Sequence, residues 1–188
     1  MLTMQNYMVN SRPAFKRAVE VVRIAFFVAL LIVFSKISIN LPFSPVPFTF
    51  QVLGVFLAGL FLKPYQSLSV LGIYILTGAL GLPVFARGGG PGYLFGMTGG
   101  FIFGFLFAAV LISFLKDRLH SAAGTLAALL LGLAVIYLTG TLYMAFFTGK
   151  GFGAVLSLAV VPFIPLDLVK VIIALLIYRA YESAAKPL

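Results

Sequence analysis

Six stretches of this chain are almost wholly apolar, and short breaks rich in proline, glycine or charge separate them. They lie at about residues 19–41, 48–62, 66–82, 99–115, 122–147 and 154–181. The hydrocarbon core of a bilayer is about 30 Å thick, so a helix needs roughly 20 largely apolar residues to cross it. The pattern predicts an all-α integral membrane protein of six transmembrane helices, forming a single transmembrane domain over residues 1–188.

Composition argues against a water-soluble fold. Hydrophobic residues make up 62% of the chain and charged residues only 9%, whereas a soluble domain is about a quarter charged. Surface-to-volume scaling limits the core that 188 residues can build. The excess apolar surface is therefore predicted to face lipid.

The basic residues predict the orientation of the chain. If the N-terminus is cytoplasmic, nine of the thirteen Lys and Arg residues lie on the cytoplasmic side, three lie outside, and Lys170 falls within the sixth stretch. The nine are Arg12, Lys16, Arg17, Arg23, Lys63, Lys116, Arg118, Arg179 and Lys186, and the three are Lys36, Arg87 and Lys150. Such a bias follows the positive-inside rule, so both termini are predicted to be cytoplasmic. It also accounts for the net charge of +9 without nucleic acid as a partner.

Two connections on the predicted outer side are elaborate. Residues 40–47 read NLPFSPVP, in which three prolines forbid a helix, and residues 83–100 read PVFARGGGPGYLFGMTGG. Non-helical backbone at membrane depth is tolerated only where it is buried in protein or lines a cavity. These connections therefore predict a pocket that opens outward.

Asp167 and Lys170 are the most informative charged residues, because both fall within the sixth apolar stretch. A spacing of three places them on one face of a helix. Ionisable residues at membrane depth pair with each other, face a cavity, or do both, so the pair could bind a ligand or merely close the bundle. Pro162 and Pro165 predict a break or a helix start just before Asp167, which puts its carboxylate in a first turn.

For the other residues that could line a ligand pocket, a purely structural role is an alternative. Arg87 could clamp a ligand carboxylate or be a solvated loop cation. Thr49 and Gln51 are two residues apart, so they could share a pocket only if the second stretch begins extended or kinked; each could instead bond a neighbouring helix. Tyr93 and Phe85 could line a pocket or belong to an interfacial aromatic belt.

The sequence lacks the residues that several kinds of catalytic or binding site require. There is no cysteine, His120 is the one histidine, and no G-x-x-x-x-G-K-[ST] pattern occurs, so thiol chemistry, a histidine metal site or triad, and a nucleotide-binding P-loop are all excluded. An enzyme is not expected, and uphill transport would need energy from another protein. A stand-alone facilitator and a purely structural membrane subunit stay open as alternatives.

Three ordered segments carry a family resemblance. Residues 42–59 (PFSPVPFTFQVLGVFLAG), residues 78–105 (GALGLPVFARGGGPGYLFGMTGGFIFGF) and the P-x-D-x-x-K pattern at 165–170 resemble the BioY family, the biotin-specific substrate-binding (S) components of energy-coupling factor (ECF) transporters. The resemblance implies a multi-pass protein of the bacterial plasma membrane that captures biotin from outside as a transported ligand. It also implies a transmembrane coupling (T) subunit and two cytoplasmic ATPase subunits as partners, and no cofactor or metal.

The resemblance implies roles for particular residues. Asp167 and Lys170 match the family's ligand-binding pair, and Thr49 and Gln51 match its PVPxTxQ segment. An S component for another vitamin stays open as an alternative.

A further match and a departure concern the partner contact and the glycine-rich loop. Ala25 and Ala29 match the family's A-x-x-x-A motif, through which the first helix contacts the T subunit; Gly100 and Gly104 repeat this small-residue spacing in the fourth stretch. Where some relatives carry an arginine after the Gly99–Gly100 pair, this chain has Phe101 and Ile102. We hypothesise that Arg87 replaces that cation.

Overall fold

The computed structural model describes residues 2–119 and 121–185, so His120 and Lys186 of the arguments above lie outside the described residues, and Arg12 is described for its backbone alone. Helices dominate. They are α1 (Leu2–Lys36), α2 (Gln51–Phe61), α3 (Pro64–Ala79), α4 (Pro91–Leu94), α5 (Gly99–Lys116), α6 (Ala122–Thr148), α7 (Phe152–Ala159) and α8 (Ile164–Ala185), with a 3-10 turn over Val161–Phe163. Two short strands, β1 (Ser38–Ile39) and β2 (Phe48–Thr49), pair antiparallel.

Four helical segments of the described residues are long and apolar enough to cross a membrane unaided. They are Pro13–Lys36, Gly99–Lys116, Ala122–Thr148 and Phe152–Ala184. The predicted stretches at 99–115 and 122–147 agree with α5 and α6 to within a residue. The prediction of six such helices is therefore matched only in part.

The first predicted stretch was too long at its C-terminal end. It was expected to continue to residue 41, but α1 ends at Lys36 and the chain turns into β1. The prolines of residues 40–47 cannot continue a helix, and pairing of Ser38 with Thr49 satisfies the backbone instead. The basic Lys36 in the last turn also suits the negative end of the helix dipole.

The second and third predicted stretches are shorter helices than expected. The helix predicted from residue 48 begins at Gln51 and has 11 residues, about 16 Å of length. α3 has 16 residues, about 24 Å. Residues 51–60 of α2 are all buried, so protein rather than lipid surrounds this helix, and a short helix with an extended lead-in is tolerated there.

The sixth predicted stretch is broken where its prolines stand. α7 ends at Ala159, the 3-10 turn contains Pro162, and α8 begins at Ile164. Asp167 consequently lies in the first turn of α8. The predicted break before Asp167 is confirmed.

α5 and α6 approach each other closely because glycine lies between them. A Cβ atom added at Gly100 would collide with Tyr143, and one added at Gly104 would collide with Thr139. The small-residue pair of the fourth stretch is therefore a packing feature of the helix bundle itself.

Side-chain contacts define two ends of the bundle. At the loop end (residues 37–50, 80–98 and 149–151), Lys36 Nζ donates to Phe85 O at 2.8 Å and Tyr143 Oη donates to Phe95 O at 3.0 Å. At the turn end (residues 62–63, 117–119 and 121), Ser113 Oγ donates to Leu62 O. α1, α3 and α6 run toward the loop end, while α2, α5 and the α7–α8 segment run away from it.

Candidate functional site

A cavity lies at the loop end, between β2, the start of α2, the residue 83–98 connection, α5, α6 and α8. Apolar side chains form most of the wall: Val46, Pro47, Val52, Phe101, Ile102, Phe105, Ile136, Ala159 and Phe163. The polar wall consists of Thr49, Gln51, Tyr93, Thr98, Tyr137, Asp167 and Lys170. A mostly apolar cavity with a few placed polar groups suits a small ligand of mixed polarity.

Asp167 and Lys170 form an ion pair on the cavity wall. Lys170 Nζ lies 2.6 Å from Asp167 Oδ1, and each side chain is only 4% exposed. The spacing of three residues on α8 brings the two groups together, as predicted. A charge removed from water at this depth is costly unless it is paired and hydrogen-bonded, and both conditions hold here.

The Lys170 ammonium has two further partners from the loop end. It donates to the backbone carbonyl of Thr49 at 2.7 Å, and it lies 4.1 Å from the centre of the Phe48 ring. Both partners are supplied by β2, whose extended backbone leaves this carbonyl free to accept. Ring faces attract cations, most strongly where water is excluded. The cation is therefore fixed in place by two distant parts of the chain.

Tyr137 is the second hydrogen-bond partner of the Asp167 carboxylate, and it was not predicted from the sequence. Its hydroxyl donates to Asp167 Oδ2 at 2.7 Å, so each carboxylate oxygen accepts one hydrogen bond within the protein. A carboxylate oxygen has two lone pairs, which leaves acceptor capacity for a ligand N–H group. The sequence did contain a sign of this role: Tyr137 stands in the middle of the fifth apolar stretch, and a buried phenol hydroxyl needs a hydrogen-bond partner.

Thr49 and Gln51 both line the cavity, because the chain enters α2 from an extended strand. The Thr49 hydroxyl accepts from the Gln51 backbone N–H at 3.2 Å, so it partners one of the free N–H groups at the start of the helix. The Gln51 amide donates to the Tyr74 hydroxyl at 2.6 Å, and Tyr74 in turn donates to Val84 O at 3.0 Å. The extended start that a shared pocket required is present.

The two aromatic candidates of the 83–98 connection lie one behind the other. Tyr93 faces the cavity, whereas Phe85 is fully buried and does not line it. Their rings stack with centroids 5.2 Å apart and an interplanar angle of 18°. Burial raises the pKa of the Tyr93 phenol, so at neutral pH it keeps its proton and can donate a hydrogen bond. Phe85 supports the wall that Tyr93 forms.

Arg87 lies outside the cavity lining. Its Nε donates to Asn40 Oδ1 at 2.9 Å, and its Nη1 donates to Pro45 O at 3.2 Å. These contacts join the residue 40–47 connection to the residue 83–98 connection. The structure thus uses the planar guanidinium to hold two loops together, which is a different use from clamping a ligand carboxylate.

Ala25 and Ala29 lie on an exposed face of α1, outside the cavity lining. Together with neighbouring apolar residues of α1 and with Ser69 and Ile73 of α3, they line a shallow groove. Small side chains let another helix approach closely. This face is therefore available to a partner.

Fold and site together define a class: a helical membrane protein that encloses a small-molecule site at one end of its bundle. The sequence model of the BioY family matches residues 4–187. The chain belongs to the BioY family.

Relatives of this chain carry biotin in their names. It is 41% identical to the "Biotin transporter BioY" of Thermotoga maritima, over 84% of this chain and 92% of that protein. It is 40% identical to the "Probable biotin transporter BioY" of Pyrococcus horikoshii, over 89% and 98%. The fold is similar to a crystal structure described as the S-component for biotin from an ECF-type ABC transporter, with a TM-score of 0.82 and 27% identity, over 89% of this chain and 93% of that one.

Proposed function

We propose that this chain captures biotin at the loop end and serves as the S component of an ECF-type transporter. The observation that carries the proposal is the buried Asp167–Lys170 pair on the wall of a mostly apolar cavity. The names of the relatives and of the similar crystal structure support the choice of ligand and of transporter type.

The chemistry of biotin suits this wall. Its ureido ring offers two N–H donors and one carbonyl acceptor, its fused ring system is apolar, and its side chain ends in a carboxylate. We assign a ureido N–H to Asp167, and the ureido carbonyl or the carboxylate to Lys170. Thr49 and Gln51 supply polar contacts beside the pair, and the apolar ring packs on Tyr93 with Phe85 behind it.

Arg87 has a different part in this proposal. Because its guanidinium holds Asn40 and Pro45, we assign it to positioning the two loops at the mouth of the cavity. A direct contact with the biotin carboxylate, as the sequence suggested, would require these hydrogen bonds to be exchanged for ligand contacts.

We place six crossings of the plasma membrane of a bacterium in the single domain of residues 1–188, with both termini in the cytoplasm and the loop end outside. The alternating direction of α1, α2, α3, α5, α6 and the α7–α8 segment supports six. α2 and α3 are shorter than a bilayer core, but α2 is buried among the other helices. The basic bias of the turn end supports the orientation.

The energy for uptake is assigned to other subunits. We propose that a T subunit docks on the α1 face through Ala25 and Ala29, and that two cytoplasmic ATPases hydrolyse ATP. The substitution Ala25→Trp should abolish co-purification with the T subunit and leave biotin binding unchanged, because the residue is exposed and lies outside the cavity lining. If the Ala25→Trp variant still co-purifies with the T subunit, the contact with that subunit lies on another face.

One experiment tests the ligand. The protein is purified in detergent without added vitamin, denatured, and its small-molecule content measured by mass spectrometry. Biotin at close to one molecule per chain supports the proposal. A different vitamin would reassign the specificity. A ligand-free protein that conducts small molecules in liposomes without partners would favour a facilitator instead.

A further inference from the structure

A second concavity lies at the turn end, opposite the biotin cavity. This turn-end groove is open to the surface and is bounded by α1, residues 62–63, the start of α3 and the end of α5. Its wall consists of Phe15, Lys16, Val19, Glu20, Arg23, Phe61, Leu62, Lys63, Tyr65, Gln66, Lys116 and Asp117. It shares no lining residue with the biotin cavity, so it needs its own explanation.

Positive charge predominates in the turn-end groove. Lys16, Arg23, Lys63 and Lys116 face two acidic residues, Glu20 and Asp117. Lys116 donates to Leu60 O at 2.6 Å and lies 3.9 Å from Asp117. Among the described residues, Lys16, Arg23 and Lys63 have no carboxylate within ion-pair distance. Like charges that converge on one concavity repel each other, so an anion bound there would offset a real cost.

The groove is apolar as well as basic. Phe15 is 70% exposed, and Val19 and Phe61 continue its apolar surface on α1 and α2. A hydrophilic anion would leave this surface in water. An anion that is joined to a hydrocarbon chain would cover it.

The start of α3 adds to the positive potential. Lys63 is the residue before the helix, and its backbone N–H donates to Gln66 Oε1 at 3.0 Å. Lys63, Tyr65 and Gln66 line the groove, so the N-terminal end of a 16-residue helix borders it, and helix N-termini favour negative charge.

We propose that the turn-end groove binds the phosphate headgroup of an anionic phospholipid, with the glycerol and the first part of an acyl chain packed on Phe15 and Val19. Basic pockets between transmembrane helices bind such headgroups where helices meet the membrane surface. The phosphate lies among Lys16, Arg23 and Lys63. The protein would then carry a fixed lipid at the opposite end from its vitamin.

Native mass spectrometry tests the proposal with the full chain in detergent and equimolar phosphatidylglycerol and phosphatidylcholine. The test variant is Lys16→Gln with Lys63→Gln, two exposed cations of the groove. The matched control is Arg17→Gln with Arg118→Gln, two exposed cations of the same end outside its lining, with the same change of net charge. Thermal unfolding midpoints confirm that both variants are folded.

We expect the wild-type chain and the control to retain phosphatidylglycerol in preference to phosphatidylcholine, and the test variant to lose at least about fivefold of that preference. Equal retention of the two lipids by the wild-type chain would overturn the proposal. An equal loss in the control would show a general surface charge effect and also overturn it. Displacement of the lipid by glycerol phosphate at equal concentration would identify a free phosphate site instead. If the folded test variant keeps the wild-type preference for phosphatidylglycerol, the groove does not hold the headgroup and the proposal is wrong.

Discussion

Two lysines at opposite ends of the molecule show how differently the same side chain is used. Lys170 at the loop end is 4% exposed in its side chain, and its ammonium contacts a carboxylate, a backbone carbonyl and an aromatic ring. Lys63 at the turn end is exposed and lies on an open groove. The first cation depends on partners drawn from two distant parts of the chain; the second lies at the surface, with no carboxylate within ion-pair distance among the described residues.

This difference in burial corresponds to a difference in role. The buried lysine is suited to recognising a ligand, and the exposed lysines are suited to orienting the chain in the membrane. A buried cation with fixed partners has one geometry, so it can distinguish one ligand from another. Exposed cations act through their number and side of the membrane. Substitutions at the two ends should consequently differ in both size and kind.

The largest difference is expected for a matched pair of substitutions. Lys170→Met leaves the Asp167 carboxylate buried without its counter-ion, which should lower the free energy of unfolding by about 3–5 kcal/mol. Lys63→Met, at an exposed position, should change it by less than about 0.5 kcal/mol. Unfolding in increasing sodium dodecyl sulfate, followed by circular dichroism, measures both. If the two substitutions lower the free energy of unfolding equally, the two lysines do not differ in the way proposed.

Asp167→Asn tests recognition with the size of the side chain kept; the buried Lys170 ammonium loses its counter-ion but keeps the Thr49 carbonyl as a partner. We expect biotin affinity to fall at least tenfold, about 1.4 kcal/mol, because the charged acceptor for the ureido N–H is lost. Isothermal titration calorimetry measures the affinity. Glu182→Gln, at a carboxylate remote from the cavity, is the control. Wild-type affinity in the folded Asp167→Asn protein would reject the assignment.

Tyr137→Phe removes only the hydroxyl that bonds Asp167 Oδ2. Hydrogen bonds to charged groups are worth about 1.5–3 kcal/mol, and water or the ligand can replace part of that, so a loss of about three- to tenfold in biotin affinity is expected. Tyr143→Phe removes a hydroxyl that bonds Phe95 O outside the cavity and should cost less than about twofold. If the two variants bind alike, Tyr137 does not act on the pair.

The smallest effect is expected for Arg87→Gln, since it loosens a loop contact and leaves the cavity wall intact. Biotin affinity should fall by less than about threefold, and Asn40→Ala, which removes the partner of the same contact, should give a similar change. A loss of more than about tenfold for Arg87→Gln alone would show that the guanidinium reaches the ligand.

The sequence predicted most of the helices and five of the seven polar residues that line the cavity. α5 and α6 followed from apolar length, and the same-face placement of Asp167 and Lys170 followed from their spacing of three. The end of α1 and the late start of α2 were missed, because both depend on the pairing of residues 38–39 with residues 48–49. Such pairing is a long-range contact that local hydropathy does not report.

By itself, the sequence predicts the solvent of the chain and its direction across the membrane. Apolar length requires a bilayer, the basic residues predict which end faces the cytoplasm, and two prolines place a helix start beside Asp167. Only the tertiary structure decided which groups meet that carboxylate and its lysine: Tyr137 from α6 and the Thr49 carbonyl from β2. It also placed Arg87 between two loops. The physical reason is that hydropathy and charge act residue by residue, whereas a buried polar group is satisfied only by partners that folding brings from far along the chain.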